Sequence, residues 1–353
     1  MNGIIKILNV GDGDAIIVHL NKDNKDLVMV VDGGQPWHYE KVMKPALVEL
    51  LSKLDKSSPD IVVATHYDSD HIGGLIPLVQ DYIEGIKEVW VHRSPELSQD
   101  EKAILESFDK KKDFQSFSQF VFESRIINKN SSIKEEAIRE KSSFVIESLR
   151  QLETFLGLLP PSKVREVFYG DSVDGWPEIK VLGPLQNFYD ELFPQDKSLD
   201  DIIVGETIDY LNESLVFWRK RKIELINHGE APCQFLKNDS TVRLTPTNKA
   251  SIIFAIDKDD KRFLFTGDAG ISSFKAIPNW EEELRNIHWL KIPHHGSNNN
   301  ISKEIIDVMK PSYSDNSGDR HQDKPVLDCI SKNSRSKRDV RSTKTLGSIE
   351  FEI

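Results

Sequence analysis

The chain has few cysteines and no long apolar run, and each absence excludes a class of protein. Its 353 residues contain only two cysteines, Cys233 and Cys329, which lie far apart and form no C-x-x-C pair. We therefore expect neither a disulfide framework nor a thiolate metal site, and predict both cysteines to be core residues. No apolar run reaches the roughly 18 residues of a membrane-spanning helix, so no membrane span is expected.

The first residues of the chain and its net charge exclude further classes of protein. The chain begins directly with strand-like sequence and has no basic segment followed by a cleavage site, so we expect a cytoplasmic protein without a secretory signal. The net charge of −11 excludes a protein coated in positive charge for gripping nucleic acid. A chain of 353 residues is long enough to bury a substantial core.

Residues 65–74 combine potential metal ligands more densely than any other stretch. They read Thr-His-Tyr-Asp-Ser-Asp-His-Ile-Gly-Gly, after a β-branched run at 60–65 that predicts a short buried strand. The ligands therefore fall on a strand-to-helix loop, which can aim imidazole and carboxylate groups at one point. A helix cap would explain one of the carboxylates, whereas two neighbouring metal ions would use the whole set. The four residues are His66, Asp68, Asp70 and His71.

This H-x-D-x-D-H pattern followed by Gly-Gly resembles the metallo-β-lactamase superfamily, and within it the ComEC-type hydrolase domain of DNA-uptake proteins. In that branch an Asp replaces the second His of the commoner H-x-H-x-D-H, as Asp68 does here. The resemblance implies an α/β fold, a four-layer αββα sandwich with its site at the edge of two sheets. We interpret residues 1–353 as one catalytic domain with helical insertions at about 95–160 and 185–240.

The opening segment resembles the same family. Residues 3–10, 14–20 and 27–32 are strand-like and predict a β-meander. A tight hairpin alone would also need the glycines of the turn at 11–13. In the family, this turn and the later Asp-Gly-Gly turn bring Asp14 under the metal loop.

Three later motifs follow in family order. Thr-Gly-Asp at 266–268 ends a predicted strand, and in the family its Asp bridges both ions. An N-x-x-S pattern precedes it, and His-His-Gly-Ser at 294–297 matches H-H-G-S in full. The resemblance thus implies metal ligands His66, Asp68, Asp70, His71, Asp268 and His294. It further implies catalytic roles for Asp70 and His295, and substrate contacts from Asn248, Ser251, Ser297 and His321.

His321 matches the family least well. The family ends with an Asn followed by G-H-P, but here three residues separate His321 from Pro325. A His on a polar loop is otherwise an ordinary surface residue. Which of His294 and His295 binds metal is also open, although we favour His294 on the metal and His295 beside the substrate.

The remaining segments predict a layered α/β arrangement. Apolar spacing predicts a helix at 40–54, and strands are expected at 87–91, 164–169, 179–182 and 248–256. The last residues, 348–353, alternate like an edge strand. In the first insertion, a packing stripe is predicted from Leu105, Phe108, Phe114, Phe117 and Val121.

Two basic clusters interrupt the acidic sequence. They are either solvated surface or a track for substrate phosphates. The first is Arg219, Lys220, Arg221 and Lys222, and the second is Lys332, Arg335, Lys337, Arg338, Arg341 and Lys344.

A site of carboxylate and imidazole without thiolate suits Zn²⁺, Mn²⁺ or Fe, and the extra charge of Asp68 favours harder metals such as Mn²⁺. We expect two divalent ions, Mn²⁺ or Zn²⁺. Two ions about 3.5–4 Å apart lower the pKa of a shared water and clamp both oxygens of an in-line displacement. We therefore expect a hydrolase that cleaves phosphodiesters of DNA or RNA through a metal-bridged hydroxide, which Asp70 orients. His295 or His321 would act on the leaving oxygen.

Two alternatives stay open. The first is a small-molecule hydrolase for a cyclic nucleotide, phosphonate ester or lactone, with the insertions closing a small pocket. The second is an effector or regulatory subunit of a multi-protein bacterial system, whose insertions bind a partner protein. Basic clusters that line the site would favour the nuclease. The oligomeric state is not predicted.

Overall fold

Two β-sheets pack face to face, and helices cover their outer faces, so the expected αββα sandwich is confirmed. The computed structural model describes residues 1–93, 96–107, 135–224, 232–236 and 244–353. For residues 107, 135 and 213–224 it describes the backbone alone.

The first sheet is built from the N-terminal strands. Its members are β1 (Asn2–Ile7), β2 (Ala15–Lys22), β3 (Lys25–Gly33), β4 (Ile61–Val63), β5 (Glu88–Trp90), β6 (Val164–Arg165) and β14 (Ile349–Glu352). They lie in the order β14-β1-β2-β3-β4-β5-β6. The antiparallel pairing of β1, β2 and β3 confirms the meander, and β14 is the expected edge strand. From β3 to β6 the pairing is parallel.

The second sheet uses the C-terminal half. Its members are β7 (Ser172–Val173), β8 (Trp176–Gly183), β9 (Ile253–Lys258), β10 (Lys261–Phe265), β11 (Trp289–Lys291), β12 (Tyr313–Asn316) and β13 (Arg341–Ser342). They lie in the order β13-β12-β11-β10-β9-β8-β7. The pair β9 and β10 forms the predicted hairpin, and β10 to β13 are parallel.

Helices fill the connections. The α-helices of the described residues are α1 (Lys44–Lys53), α2 (Ser69–Ile72), α3 (Leu75–Tyr82), α4 (Gln99–Ser107), α5 (Glu135–Leu158), α6 (Gln186–Leu192), α7 (Leu199–Glu224), α8 (Pro246–Lys249), α9 (Ile271–Ala276), α10 (Trp280–Glu283), α11 (Lys303–Met309), α12 (Lys324–Asn333) and α13 (Thr343–Leu346). Single turns of other types are the π-helical Tyr39–Met43 and the 3₁₀ segments Pro161–Lys163, Pro232–Phe235 and Pro293–Gly296.

Alternation along the strands builds the layers. In β3, Val28 and Val30 pack against the helices while Met29 and Val31 face the other sheet. In β10, Leu264 likewise packs on the opposite side from its neighbours. Successive side chains of a strand point to opposite faces, so one strand serves two cores. Each fully buried side chain of this kind stabilises the fold by roughly 1.5–3 kcal/mol.

The parallel strands place the candidate site at one edge of the sandwich. Loops at the carboxyl ends of β3 and β4 meet loops at the carboxyl ends of β10 and β11, where ligands bind in open α/β sheets. The glycines of the two Gly-Gly pairs allow close packing there, since a Cβ on Gly74 would lie 2.0 Å from Gly33 O.

One expected strand begins late. The strand predicted at 248–256 starts only at Ile253, because residues 246–249 form α8. The reason is local: Thr245 caps this turn through its Oγ1, which accepts a hydrogen bond from Asn248 N, and Pro246 occupies the first helical position.

The expectation that the cysteines are unlinked is wrong. Cys233 and Cys329 form a disulfide, with Cα atoms 4.9 Å apart. Cys233 lies in the 3₁₀ segment and Cys329 in α12, so tertiary folding brings together two residues that are 96 positions apart in the chain. The spacing of the two cysteines in the sequence does not indicate that they lie close together in the fold.

The expected insertions are described in part. The first contains α4 and α5, and Leu105 is buried as predicted, whereas Phe108, Phe114, Phe117 and Val121 lie outside the described residues. The second contains α6 and α7. The cluster from Arg219 to Lys222 lies on α7, but its side chains are outside the description. In the part of the chain that the structure covers, no helix is long and apolar enough to span a bilayer.

Candidate metal centre

Four imidazoles surround one carboxylate oxygen. Asp268 Oδ2 lies 3.4 Å from His71 Nε2, 3.6 Å from His294 Nε2, 3.9 Å from His66 Nε2 and 4.0 Å from His295 Nε2. Two ligand atoms that each lie about 2.0–2.2 Å from one ion are at most about 4.4 Å apart. These separations are therefore those of ligands that share ions.

Asp32 fixes the orientation of two of these rings. His71 Nδ1 donates to Asp32 Oδ2 over 2.9 Å. The Thr65 hydroxyl also donates to Asp32 Oδ2, at 2.7 Å, so it accepts from His66 Nδ1 at 3.0 Å. Both rings thus carry their proton on Nδ1 and present the lone pair of Nε2 to the centre, as in carboxylate–histidine–metal arrangements.

Asn300 fixes the orientation of the His294 ring. His294 Nδ1 donates to Asn300 Oδ1 over 3.0 Å, while Asn300 Nδ2 donates to Asp268 O over 2.8 Å. One buried amide therefore positions both a histidine and the central aspartate. Since Asn300 is fully buried, water does not compete for these bonds.

His295 faces Asp14 from the other side. Its Nδ1 lies 3.4 Å from Asp14 Oδ1, and Asp14 forms an ion pair with Lys291, both residues being 1% exposed. Burial alone would raise the pKa of Asp14, but the charge of Lys291 holds it well below its ordinary value. Asp14 therefore faces His295 as a carboxylate that is paired with Lys291. Asp14 N also donates to Asp70 O, in agreement with its expected place under the metal loop.

Several atoms of the centre are buried and have no hydrogen-bond partner among the described residues. Leaving such a group unsatisfied costs roughly 1–3 kcal/mol each. Divalent ions at the centre would satisfy these atoms, so this donor set fits a metal. The atoms are Nε2 of His66, His71 and His295, and Oδ1 of Asp68 and Asp268.

The ligand atoms form three overlapping groups. The first contains His66, His71 and Asp268, the second Asp70, His71 and His295, and the third Asp14, Asp32 and His71. In the third group Asp14 pairs with Lys291 and Asp32 accepts from His71, so the first two groups remain for ions. Asp68 Oδ2 lies 3.6 Å from His66 Nε2, a member of the first group. In the second group, His295 Nε2 lies 3.8 Å from Asp70 Oδ2. The geometry therefore offers places for two ions with shared ligands.

The H-H-G-S loop has an unusual backbone. His294 and His295 have φ values of 45° and 51°, in the left-handed region that non-glycine residues avoid. Such conformations cost of order 1–3 kcal/mol each and cluster at functional sites. This turn sends two adjacent imidazoles to two sides of Asp268.

The expected substrate-facing residues differ in their positions. Ser251 lies behind the centre, where its Oγ accepts from Asp268 N at 3.1 Å. The side chain of Asn248 is fully buried and its amide atoms have no partner in the described chain. Ser297 Oγ accepts from Asn299 N and so stabilises a turn. The centroid of the His321 ring lies 4.5 Å from that of the His294 ring.

The comparison with known families agrees with this geometry. The model of the metallo-beta-lactamase superfamily matches residues 8–123. This part of the chain is similar to the metallo-β-lactamase superfamily. No curated protein matches the chain.

The superfamily match includes Asp14, Asp32 and the ligand loop of residues 66–71, whereas the remaining ligands lie C-terminal to it. Metallo-β-lactamase superfamily proteins typically bind divalent metals, and the groups described here could hold one. The match therefore suggests a metal-dependent hydrolase. It identifies neither a branch of the superfamily nor a substrate.

The buried groups of this centre shift one another's pKa values. Burial would raise the pKa of Asp268, but the surrounding imidazoles hold it well below its ordinary value. Burial raises the pKa of Asp70. Burial would lower the pKa of His71, yet Asp268 and Asp32 raise it well above its ordinary value. A divalent cation would take the place of the protons that these groups hold.

Sequence reasoning missed several supporting residues. Asp32 was predicted only as part of a turn, although an Asp beside Gly-Gly ahead of a histidine loop was the available signal. Asn300 follows H-H-G-S in an Asn-Asn-Asn run with no distinguishing feature. Lys291 interrupts the apolar run Trp-Leu-Lys-Ile-Pro, and a cation in a buried strand indicates a buried anion.

Proposed function

We propose that the protein is a two-metal phosphodiesterase whose substrate is nucleic acid. The observation that carries this proposal is the convergence of four Nε2 atoms on Asp268, with orphaned oxygens of Asp68 and Asp268 beside them. Imidazole and carboxylate without thiolate suit Zn²⁺ or Mn²⁺. When bound, two such ions supply an activated water and neutralise charge on the attacking and leaving oxygens.

The ligands divide between the two places. His66, Asp68 and His294 would hold one ion, Asp70 and His295 the other, and His71 and Asp268 lie close to both groups. This assignment gives His295 a ligand role besides that of His294. It is supported by the Asp14 contact at Nδ1, which leaves Nε2 directed at the centre.

Two residues have the exposure that chemistry on a substrate needs. The Asp70 side chain is 18% exposed, while that of Asp268 is 3% exposed, so Asp70 can reach the attacking water and orient it. His321 is only partly buried, and burial together with the nearby histidines lowers its pKa well below its ordinary value. A neutral His321 at the rim can exchange a proton with the leaving oxygen through a ring nitrogen.

The rim of the site supports a nucleic acid substrate. Arg320 precedes His321, pairs with Asp12 at 2.5 Å and has a side chain that is 70% exposed. Lys344 Nζ donates to Asp319 O on the same loop. Trp37 is 58% exposed. Cations meet phosphates and an exposed indole stacks on a base, whereas a lactone would use neither.

The segment of Trp37 is tied to the metal loop. Gln35 Oε1 accepts from Ser69 Oγ at 3.0 Å, and Ser69 lies between the candidate ligands Asp68 and Asp70. A base on Trp37 would therefore lie near the reacting phosphate.

Some residues of the second basic cluster make contacts that stabilise the fold. Arg341 forms a bidentate pair with Asp315, and Arg335 donates to the carbonyl oxygens of Lys310 and Asn286. Arg338 lies over the Tyr313 ring. Lys337, Arg338 and Lys344 are exposed, and we propose these three residues for phosphate contacts. The resemblance to the ComEC-type branch also supports a nucleic acid substrate.

Turnover of defined substrates tests the proposal. The purified protein is assayed on single- and double-stranded DNA and RNA and on bis(p-nitrophenyl) phosphate, with Mn²⁺, Zn²⁺, Mg²⁺ or EDTA. We expect metal-dependent cleavage of nucleic acid that Asp70→Ala abolishes and Asp328→Ala, on the surface of α12, does not. Cleavage of the small ester alone would favour a small-molecule hydrolase. Metal binding without any turnover would favour a partner-binding subunit.

A further inference from the structure

A residue of the second insertion touches a candidate metal ligand. The hydroxyl of Tyr210, on α7, donates to Asp68 Oδ2. The other oxygen, Oδ1, is buried and has no hydrogen-bond partner among the described residues. One oxygen of Asp68 is therefore held by a protein donor, and the other is left for an ion.

The same face of α7 makes further contacts through Glu206. Glu206 lies one turn before Tyr210, and the hydroxyl of Tyr67 donates to Glu206 Oε1 over 2.6 Å. Thr247 donates to the same oxygen over 2.5 Å. Since residues four apart share one face of a helix, α7 contacts both the metal loop and the turn that carries Asn248.

The first insertion supports the same loop. Ser148, on α5, accepts from Ser69 N at 3.1 Å. The Phe144 ring of α5 packs edge-on against the Tyr210 ring, with centroids 5.4 Å apart. Thr207 and Ser142 join the two helices through their hydroxyl groups at 3.3 Å. The two insertions thus form one support beneath residues 67–69.

We propose that Tyr210 is a positioning residue that fixes the carboxylate of Asp68 for one of the two ions, and that α5 and α7 are the support of the metal loop. A free carboxylate rotates between several orientations. The Tyr210 donor on Oδ2 holds the one in which Oδ2 lies 3.6 Å from His66 Nε2 and Oδ1 has no hydrogen-bond partner among the described residues. Supporting bonds of this kind change metal affinity by roughly 10–100-fold. The inference rests on the proposed metal site and adds a residue outside the matched family segment.

Metal titration of Tyr210→Phe tests it. This change keeps the ring on Phe144 and removes only the hydroxyl. We expect calorimetric titration with Mn²⁺ or Zn²⁺ to show one of two sites weakened by about 10–100-fold, with the other changed less than about threefold. The melting temperature of the metal-free variant should match the control. The control is Tyr39→Phe, which removes a tyrosine–carboxylate bond of 2.6 Å to Asp81, a residue outside the centre.

A double-mutant cycle separates positioning from general damage. In an Asp68→Ala background, Tyr210→Phe should change affinity less than about twofold, because the carboxylate that it orients is gone. Ser148→Ala gives a second variant with Tyr210 intact, and should weaken the same site.

The outcomes distinguish the two proposals. A wild-type protein that binds no metal overturns the proposed function. A wild-type protein that binds two ions, with Tyr210→Phe unchanged or with Tyr39→Phe equally weakened, overturns the role of Tyr210 alone.

Discussion

Three histidines of the centre have their own acceptor at Nδ1, and the fourth, His295, has the Asp14 carboxylate 3.4 Å from its Nδ1. The three acceptors differ in kind: a carboxylate for His71, a hydroxyl for His66 and an amide for His294. All four rings direct Nε2 at Asp268. The carboxylate of Asp268 therefore determines whether two ions can share ligands.

Asp268→Asn is therefore expected to abolish hydrolysis and to weaken metal binding by more than about 100-fold, a larger effect than the loss of a supporting residue. Asp70→Ala should have the same effect on hydrolysis. Metal content after dialysis against Mn²⁺ or Zn²⁺ measures the loss. Asn has nearly the shape of Asp, so the melting temperature of the metal-free protein should change little. A large fall in that temperature would instead indicate a structural role for Asp268.

Glu206 predicts a pH dependence of stability in the metal-free protein. Burial raises its pKa from 4.5 to about 7. The folded state therefore holds a proton that the unfolded chain releases, so the stabilisation is complete below pH 4.5 and is lost as pH rises through 7.

Glu206→Gln should lack this loss, because the amide carries no charge. Its advantage over wild type in free energy of unfolding should grow from pH 4.5 to 8 and reach at most about 3 kcal/mol. Urea unfolding in EDTA across this range measures it. A difference that does not vary with pH would contradict the raised pKa.

Among the elements, the 3₁₀ segment Pro232–Phe235 is joined to the body of the protein at two points. The disulfide links it to α12, and Phe235 O accepts from Asn298 Nδ2 beside the H-H-G-S loop. A link across 96 residues restricts the unfolded chain strongly.

Reduction, or Cys233→Ser with Cys329→Ser, is expected to lower the free energy of unfolding by about 2–4 kcal/mol. Denaturant unfolding with and without dithiothreitol provides the measurement. The serine variant is its own control, since dithiothreitol should not affect it. Equal stabilities of oxidised and reduced protein would show that the link does not constrain the chain.

At the scale of the whole molecule, an acidic chain of net charge −11 repels nucleic acid except where cations collect. Reversing Arg338 and Lys344 to Glu, or Arg219 and Lys220 to Glu, should weaken nucleic acid binding evenly across sequences. Each lost phosphate contact should reduce the salt slope of log affinity by roughly 0.9 on duplex DNA and 0.7 on a single strand.

Binding to a labelled oligonucleotide at several salt concentrations gives these slopes, and turnover of a small ester should stay unchanged. Arg341 is left out because its pair with Asp315 belongs to the fold. Unchanged slopes in both variants would identify the clusters as solvated surface and favour the small-molecule hydrolase.

The sequence by itself determined the layered fold and predicted the candidate ligand residues. Strand patterns with period two predicted the meander, the β9–β10 hairpin and the last edge strand, because side-chain alternation is local. The pattern from His66 to His71 indicated the metal loop for the same reason: its ligands are neighbours in the chain.

Only the tertiary structure decided what lies around those ligands. Tyr210 reaches Asp68 across 142 positions, Asp32 reaches His71 across 39, and Cys233 reaches Cys329 across 96. No periodicity or spacing encodes such pairs, because they arise from how helices and sheets pack. The left-handed turn at His294 and His295 is likewise imposed by its surroundings, since the intrinsic preference of histidine would avoid it.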